Sequence, residues 1–206
     1  MHMSDEPIQS NLAAVPRPER KSAVVTALRH ALPEGCVLSN EEELRPYECD
    51  GLTAFRQMPL AVVLPRTEQQ VREIISICHR LDVPVVARGS GTGLSGGAMP
   101  HAAGVVLSLA RLNRIHEIDP LARTARVQPG VRNLQVSEAA AVYGLYYAPD
   151  PSSQIACSIG GNVAENSGGV HCLKYGLTVH NVMGVRGFTI DGELLELGSN
   201  ALDGPG

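Results

Sequence analysis

The spacing of apolar and polar residues predicts two helices at the start of the chain. Apolar residues recur at helical intervals over residues 19–32 and Pro33 follows them, which predicts a helix that ends there. The polar, proline-punctuated residues 1–20 are expected to form a disordered tail. The sequence SNEEE at 39–43 predicts a second, short capped helix, and residues 49–59 are interpreted as a connecting segment.

A strand–helix–strand unit is predicted from Leu60 onward. Residues 60–64 and 83–87 are β-prone runs rich in valine, and residues 67–81 combine a capping-box motif with one apolar helical stripe. Strands joined through a helix run parallel in nearly all proteins. The two strands are therefore expected to pair with each other in a parallel sheet.

The pattern changes after residue 100, where strands outnumber helices. A helix is predicted over residues 131–143, with Gly144 at its end. The sequence GFTIDGELLEL predicts a hairpin with Asp191–Gly192 as a two-residue turn. Three further β-prone runs precede the helix, at residues 104–109, 114–118 and 124–128.

Composition narrows the class of protein. The 206 residues carry a net charge of −4 with no basic run, so nucleic acid is not an expected partner. The sequence shows no signal peptide and no apolar run of membrane-spanning length. The five cysteines form no CxxC pair, and we expect reduced thiols and no metal site. These features predict a cytoplasmic location, with any membrane association supplied by partners.

The sequence VVARGSGTGLSGGAMP, residues 85–100, contains five glycines between Gly89 and Gly97. Glycine loses more backbone freedom on ordering than any other residue, and a tight turn needs only one or two. Consecutive backbone amides can form a concave nest for an anion, and small hydroxyl side chains add donors without bulk. We therefore predict that this first glycine loop binds a pyrophosphate, with Arg88 as a cation at its entrance.

Two other nucleotide-binding loops, the Rossmann type and the Walker type, are alternatives for this sequence. Its glycines match G-x-G-x-x-G and Glu117 lies at about the spacing of a Rossmann fingerprint, which would indicate NAD. That fold needs a helix after the third glycine, Gly96, whereas Pro100 and a predicted strand follow here. A Walker loop is excluded because neither lysine of the chain, Lys21 or Lys174, follows a glycine-rich loop in the required way.

A second glycine-rich loop follows, with the sequence APDPSSQIACSIGGNVAENSGGVHCLKYG at residues 148–176. Asn162 and Asn166 lie four residues apart and fit one helical turn. Their amides could contact the edge of a heteroaromatic ring, or they could be satisfied within a capped helix. The spacing does not choose between these two readings.

The two loops together resemble the FAD-binding domain of the vanillyl-alcohol-oxidase type, also called the p-cresol-methylhydroxylase (PCMH) type. Within it, the sequence is most similar to the branch of D-lactate and D-2-hydroxyglutarate dehydrogenases. The stretch YECDGLTAFRQMPLAVVLPRTEQQV resembles the flavin subunit of bacterial glycolate oxidase. The resemblance implies an α+β fold with two subdomains that clasp the flavin. It assigns residues 57–206 to this domain, incomplete at its C-terminal end, after a helical segment at 21–56, with the substrate domain absent.

The resemblance also implies FAD as the cofactor, together with its binding residues. Some relatives attach the flavin through a histidine where this chain has Thr92, so noncovalent binding is expected. The ribityl chain and flavin would contact the second loop, and Val185 would pass the adenine end. The first-loop residues around the pyrophosphate would be Arg88, Gly89, Ser90, Gly91, Thr92, Gly93, Ser95, Gly96 and Gly97. Those of the second loop would be Ser153, Ile159, Gly160, Gly161, Asn162, Ala164 and Asn166.

The activity implied for the parent enzyme is oxidation of glycolate, or of a similar small 2-hydroxy acid such as D-lactate, to the 2-oxo acid. Flavin N5 would accept the hydride, and electrons would pass to partner subunits that include an iron–sulfur protein. An alternative is a non-catalytic FAD-binding or assembly module of a redox complex. No catalytic residue is assigned, because His101, His116 and His180 show no partner carboxylate by spacing. His171–Cys172 is interpreted as a structural pair.

Overall fold

The structure is a computed structural model that describes residues 17–198. Its first helix, α1, spans Arg17–Ala31. The predicted helix is confirmed, but it begins within the predicted tail, so residues 17–20 are helical. Proline and glutamate in the first turn explain this start, since a fixed φ and a negative charge both favour a helix N-terminus. The remainder of the predicted tail and residues 199–206 lie outside the described residues.

Four short strands form the main sheet, in the order β1–β2–β4–β3. β2 and β3 both pair in parallel with β4, and β1 pairs antiparallel with β2. The predicted direct pairing of β2 with β3 is therefore wrong, because β4 lies between them. All four residues of β4 are buried, whereas three residues of β3 are partly or fully exposed, so β3 is suited to the edge. The strands span Val37–Leu38 (β1), Ala61–Val63 (β2), Val85–Arg88 (β3) and Val105–Ser108 (β4).

Helices cover both faces of this sheet. α3, Glu68–Arg80, begins at Thr67, whose hydroxyl accepts a hydrogen bond from the Gln70 amide at 3.2 Å. α1 and α3 pack on one face, and alternate strand residues supply the apolar side chains that meet them. The short α2, Glu41–Leu44, covers the other face, where Leu44 packs on β2 and β4. A 3₁₀ turn follows it at Arg45–Tyr47.

The second half of the chain holds two hairpins and three short helices. α4 continues into a 3₁₀ turn that ends at Gly144, where φ is 68°, as the sequence predicts. A further 3₁₀ turn spans Thr178–Asn181. The helices are Asn133–Ala140 (α4), Ile159–Glu165 (α5) and Cys172–Tyr175 (α6). The hairpins pair Ile115–Asp119 (β5) with Thr124–Val127 (β6), and Gly184–Phe188 (β7) with Leu194–Gly198 (β8).

The turn of the β7–β8 hairpin is longer than predicted. The Thr189 amide donates to the Glu193 carbonyl and the Gly192 amide donates to the Thr189 carbonyl, both at 2.9 Å. The loop therefore contains three residues, 190–192, and Gly192 has a left-handed φ of 78°. This arrangement is the common three-residue hairpin loop, a turn followed by a left-handed glycine.

The cysteines are all free, and three of them are buried. Burial raises the pKa of the Cys78 thiol to about 12, so this side chain behaves as an unreactive core residue. Within residues 17–198, the structure brings together no group of three or more histidine, cysteine or acidic side chains that could hold a metal ion. Among the described helices, none has the length and apolar character needed to cross a membrane.

Candidate functional site

The two glycine-rich loops meet in the structure. Ser158 is the N-cap of α5, and its hydroxyl accepts a hydrogen bond from the Gly161 amide at 3.4 Å. Gly89 of the first loop lies directly against this serine, and a Cβ at position 89 would overlap the Ser158 hydroxyl. Glycine is therefore required at position 89 by close approach of the second loop.

A cleft of about 350 Å³ opens between the loops. Among the predicted binding residues, Ser95, Gly96, Ile159 and Asn166 do not line it. Val185 lies apart, in an apolar cavity of about 290 Å³ beside Leu197. The predicted residues that do line the cleft are Arg88, Gly89, Ser90, Gly91, Thr92, Gly93, Gly97, Ser153, Gly160, Gly161, Asn162 and Ala164.

The first loop presents free backbone donors. Within the described part of the chain, the amides of residues 90–95 donate no hydrogen bond. Gly91 and Gly96 have left-handed φ values of 70° and 79°, which turn the backbone near the start of this run and just after its end. Successive unpartnered amides in a turning backbone form an anion-binding concavity. Anion binding by this loop stays a prediction.

Arg88 supports this loop from behind. It is the last residue of β3 and only 8% exposed. Its Nη1 donates to the Cys49 carbonyl at 2.7 Å and to the Ala98 carbonyl at 3.4 Å, and its guanidinium lies 5.6 Å from the centre of the Tyr47 ring. Burial lowers the pKa of Arg88, while nearby Cys49, Tyr47 and Asp50 oppose that shift. Arg88 lies directly before the loop and lines the cleft, and its side chain is buried against backbone carbonyls rather than free.

Asp50 holds the same loop from the N-terminal segment, and sequence reasoning missed it. The side chain is 4% exposed; one carboxylate oxygen accepts from the Gly96 amide at 2.9 Å and the other from the Leu52 amide at 2.8 Å. The neighbouring Gly51 amide donates to the Gly93 carbonyl at 2.9 Å. An Asp–Gly pair is a local turn signal, but it does not reveal a contact 46 residues away.

The two asparagines of the second loop are occupied within the protein. Asn162 is 2% exposed. Its side-chain oxygen accepts a hydrogen bond from Asn133 Nδ2 at 2.9 Å, and its Nδ2 donates to Cys157 Sγ at 3.3 Å. Asn166 ends α5 with φ at 49°, and its side-chain oxygen accepts from the Val179 amide at 3.0 Å. Of the two readings left open by the spacing, the structure has the capped helix with satisfied asparagines.

The first turn of α5 is likewise occupied. The Ile159 and Gly160 amides donate to the Val131 and Pro129 carbonyls, both at 2.8 Å, and the Gly161 amide donates to its N-cap. An anion in the cleft must therefore be held by the first loop rather than by the helix N-terminus. A glycine-walled cleft with one row of free amides fits a phosphate-bearing ligand of extended shape.

An α+β domain with such a cleft is a nucleotide-cofactor-binding domain, and the path of the chain separates it from a Rossmann domain. Among the described residues, no helix lies between β3 and β4, so the helix required after Gly96 is absent. Residues 59–198 match the FAD binding domain family model. The chain belongs to this family, and FAD is its cofactor.

Relatives extend this assignment. The chain is 62% identical to "Glycolate oxidase subunit GlcD" of Escherichia coli (strain K12), over 94% of this chain and 38% of the relative. It is 36% identical to "D-lactate dehydrogenase" of Archaeoglobus fulgidus, over 68% of this chain and 31% of the relative. The chain therefore spans less than two fifths of the length of these relatives.

Solved structures share the fold. p-Cresol methylhydroxylase with substrate bound has a TM-score of 0.74 and 23% identity, over 91% of this chain and 37% of that one. An alkyldihydroxyacetonephosphate synthase has a TM-score of 0.75 and 21% identity, over 85% of this chain and 34% of that one. At these identities the likeness establishes the fold alone, and it confirms the α+β, PCMH-type architecture.

A hydrogen-bonded pair outside the cleft joins two parts of the second loop. His171 Nδ1 lies 2.6 Å from one Asp150 carboxylate oxygen, and the His171 amide donates to the other at 3.3 Å. The hydrogen bond from the His171 side chain holds the pKa of Asp150 below its usual value. The sequence suggested a structural role for His171 but did not identify its partner.

This pair gives the fold a pH dependence. A carboxyl with a lower pKa in the folded than in the unfolded chain stabilises the fold above its unfolded pKa, and that contribution disappears as pH falls through the folded value. We expect Asp150→Asn to lose less thermal stability than the parent chain between pH 6 and pH 3. Thermal melts across this range measure the difference. Glu193→Gln, an exposed substitution, is the control, and identical pH curves for Asp150→Asn and the parent would contradict the expectation.

Proposed function

We propose that this chain is the FAD-binding portion of a flavoprotein that oxidises a small 2-hydroxy acid, glycolate or D-lactate, to the 2-oxo acid. The observation that carries the proposal is the row of unpartnered amides at residues 90–95, because residues 90–94 of this row line a cleft shared with the second loop. Support for the substrate class comes from the relatives, which are named for glycolate and D-lactate.

The part that this chain plays is binding and positioning. FAD, when bound, supplies the redox chemistry, with flavin N5 accepting the hydride of the hydroxy acid. The first loop would hold the pyrophosphate through its free amides, and Asp50 and Arg88 would keep that loop in shape. Ser153, Gly160 and their neighbours in the second loop would line the flavin side of the cleft. Noncovalent attachment remains the expectation, since Thr92 has no nucleophilic ring nitrogen.

The proposal extends to partners and location. Because a relative at 62% identity is named as a subunit, we propose that the parent protein works in a multi-subunit complex in which an iron–sulfur protein takes the electrons. A cytoplasmic location follows from the reduced cysteines expected of the sequence, with any membrane association provided by partner subunits. The proposed domain covers residues 57–206, although Asp50 shows that the preceding segment contributes to its first loop.

Parallel titrations with FAD and NAD test the proposal. We expect saturable quenching of FAD fluorescence by the purified chain and no binding of NAD. FAD at a hundredfold excess over its dissociation constant should add about 2.7 kcal/mol to the free energy of unfolding. Binding of NAD alone, or of neither nucleotide by a chain that is folded by circular dichroism, would contradict it.

Reduction of the bound flavin separates the enzyme from the non-catalytic module. If glycolate or D-lactate bleaches the flavin absorbance of the loaded protein, the oxidoreductase assignment is supported. FAD that stays oxidised with the chain alone, but is reduced once the remainder of a full-length relative is supplied, would assign this chain to cofactor binding only.

A further inference from the structure

Glu165 is a charged side chain of the cleft that the proposed function leaves unexplained. It belongs to the second loop, lines the cleft and is exposed. Arg88, the other charged residue lining the cleft, already donates to two backbone carbonyls. Across the described residues, the Glu165 side chain makes no hydrogen bond and no ion pair. Its carboxylate is therefore not held in place by a partner.

The carboxylate nevertheless lies against the first loop. A Cβ added to Gly97 would overlap Glu165 Oε1, and one added to Gly93 would lie 3.6 Å from the same oxygen. Gly93 is one of the residues whose amides have no acceptor among the described residues. A negative charge thus lies beside the row of free donors that suits an anion.

Helix stability does not explain this glutamate. Glu165 is the last residue of α5, immediately before the left-handed Asn166. Carboxylates are unfavourable at a helix C-terminus, because the helix dipole presents partial negative charge there. The position is therefore electrostatically adverse for the helix as well as for an anion in the cleft.

We propose that Glu165 is an electrostatic gate of the cofactor cleft. Its carboxylate opposes any anion at the first loop, and a phosphate-bearing ligand must displace the side chain to bind. The gate lowers the affinity of the cleft for phosphate-bearing ligands and leaves a ligand without phosphate unaffected. The inference rests on the proposed function, since it requires a phosphate-bearing ligand at this loop.

The test compares Glu165→Gln with the parent chain in FAD titrations at low and high salt. Removing a like charge about 4 Å from an anion in water is worth about a fivefold change in an equilibrium constant, and salt screens most of it. We expect the dissociation constant for FAD to fall about fivefold at low salt and to change less at 1 M salt. Riboflavin, which has no phosphate, should bind both proteins equally.

A matched control and a second probe keep the outcomes distinct. Glu138→Gln removes the same charge from an exposed position on α4, outside the cleft, and should leave FAD affinity unchanged. Phosphorus NMR with inorganic pyrophosphate repeats the comparison without the flavin, so failure to bind FAD does not prevent the test. The gate would be overturned if Glu165→Gln bound FAD and pyrophosphate no more tightly than the parent chain does. It would also be overturned if Glu138→Gln tightened binding equally, or if no variant bound pyrophosphate.

Discussion

Replacing Gly91 by valine is expected to lower the affinity of the chain for FAD by at least about a hundredfold, which corresponds to about 2.7 kcal/mol. The φ of 70° at this position is the left-handed conformation, which costs an L-residue about 1–2 kcal/mol and a β-branched residue more. A Cβ at position 91 would also overlap the Arg88 guanidinium. Valine therefore distorts the loop and displaces the arginine that supports it.

Fluorescence titration with FAD and far-ultraviolet circular dichroism measure this effect. Gly187→Val is the matched control, because Gly187 lies in β7 with an ordinary φ and an added Cβ would meet no atom within 4 Å. The control should bind FAD as the parent does. Retention of FAD by Gly91→Val with parental affinity would remove the first loop from the cofactor site.

The second large effect is expected for Asp50→Ala, which should lower the free energy of unfolding by about 3 kcal/mol. The carboxylate accepts hydrogen bonds from two backbone amides in a buried position, and each bond to a charged group is worth about 1.5–3 kcal/mol. Alanine leaves both donors without an acceptor and releases the first loop at Gly96. FAD affinity should fall together with stability.

Urea unfolding measures the stability change, and Asp119→Ala provides a demanding control. Asp119 also accepts from two backbone amides, at 2.8 and 2.9 Å, but within an exposed turn of the β5–β6 hairpin. Its loss should cost well under half as much, since water can replace the carboxylate. Equal destabilisation by the two substitutions would show that burial of Asp50 contributes nothing.

Local features of the fold could be predicted from the sequence, whereas strand order could not. The apolar residues of α3 recur every three or four positions, and Thr67 caps an amide only three residues further on. A short stretch of sequence therefore contains the whole signal for this helix. The insertion of β4 between β2 and β3 pairs it with residues 44 positions earlier in β2 and 20 positions earlier in β3, and no local pattern encodes this order. The predicted length of the β7–β8 turn was wrong because an Asp–Gly pair is compatible with both two-residue and three-residue hairpin loops.

The same distinction between local and long-range features holds for the candidate site. Clustered glycines marked both loops, because few other roles justify so many flexible residues. The contacts that support the first loop were missed, since Asp50 and Cys49 reach it only through the tertiary fold. Asn162 was a candidate ligand contact because of its side-chain chemistry. The structure buries it beside Asn133, where it makes its hydrogen bonds within the protein.

Because β4 lies between β2 and β3, the sheet cannot assemble until residue 108 has left the ribosome. Before that point β3 has no strand beside it, and β2 has only the two-residue β1. The first glycine loop is thus synthesised before the strand that fixes its C-terminal side. A nascent chain in this interval exposes the edges of two apolar strands, and such edges are templates for aggregation.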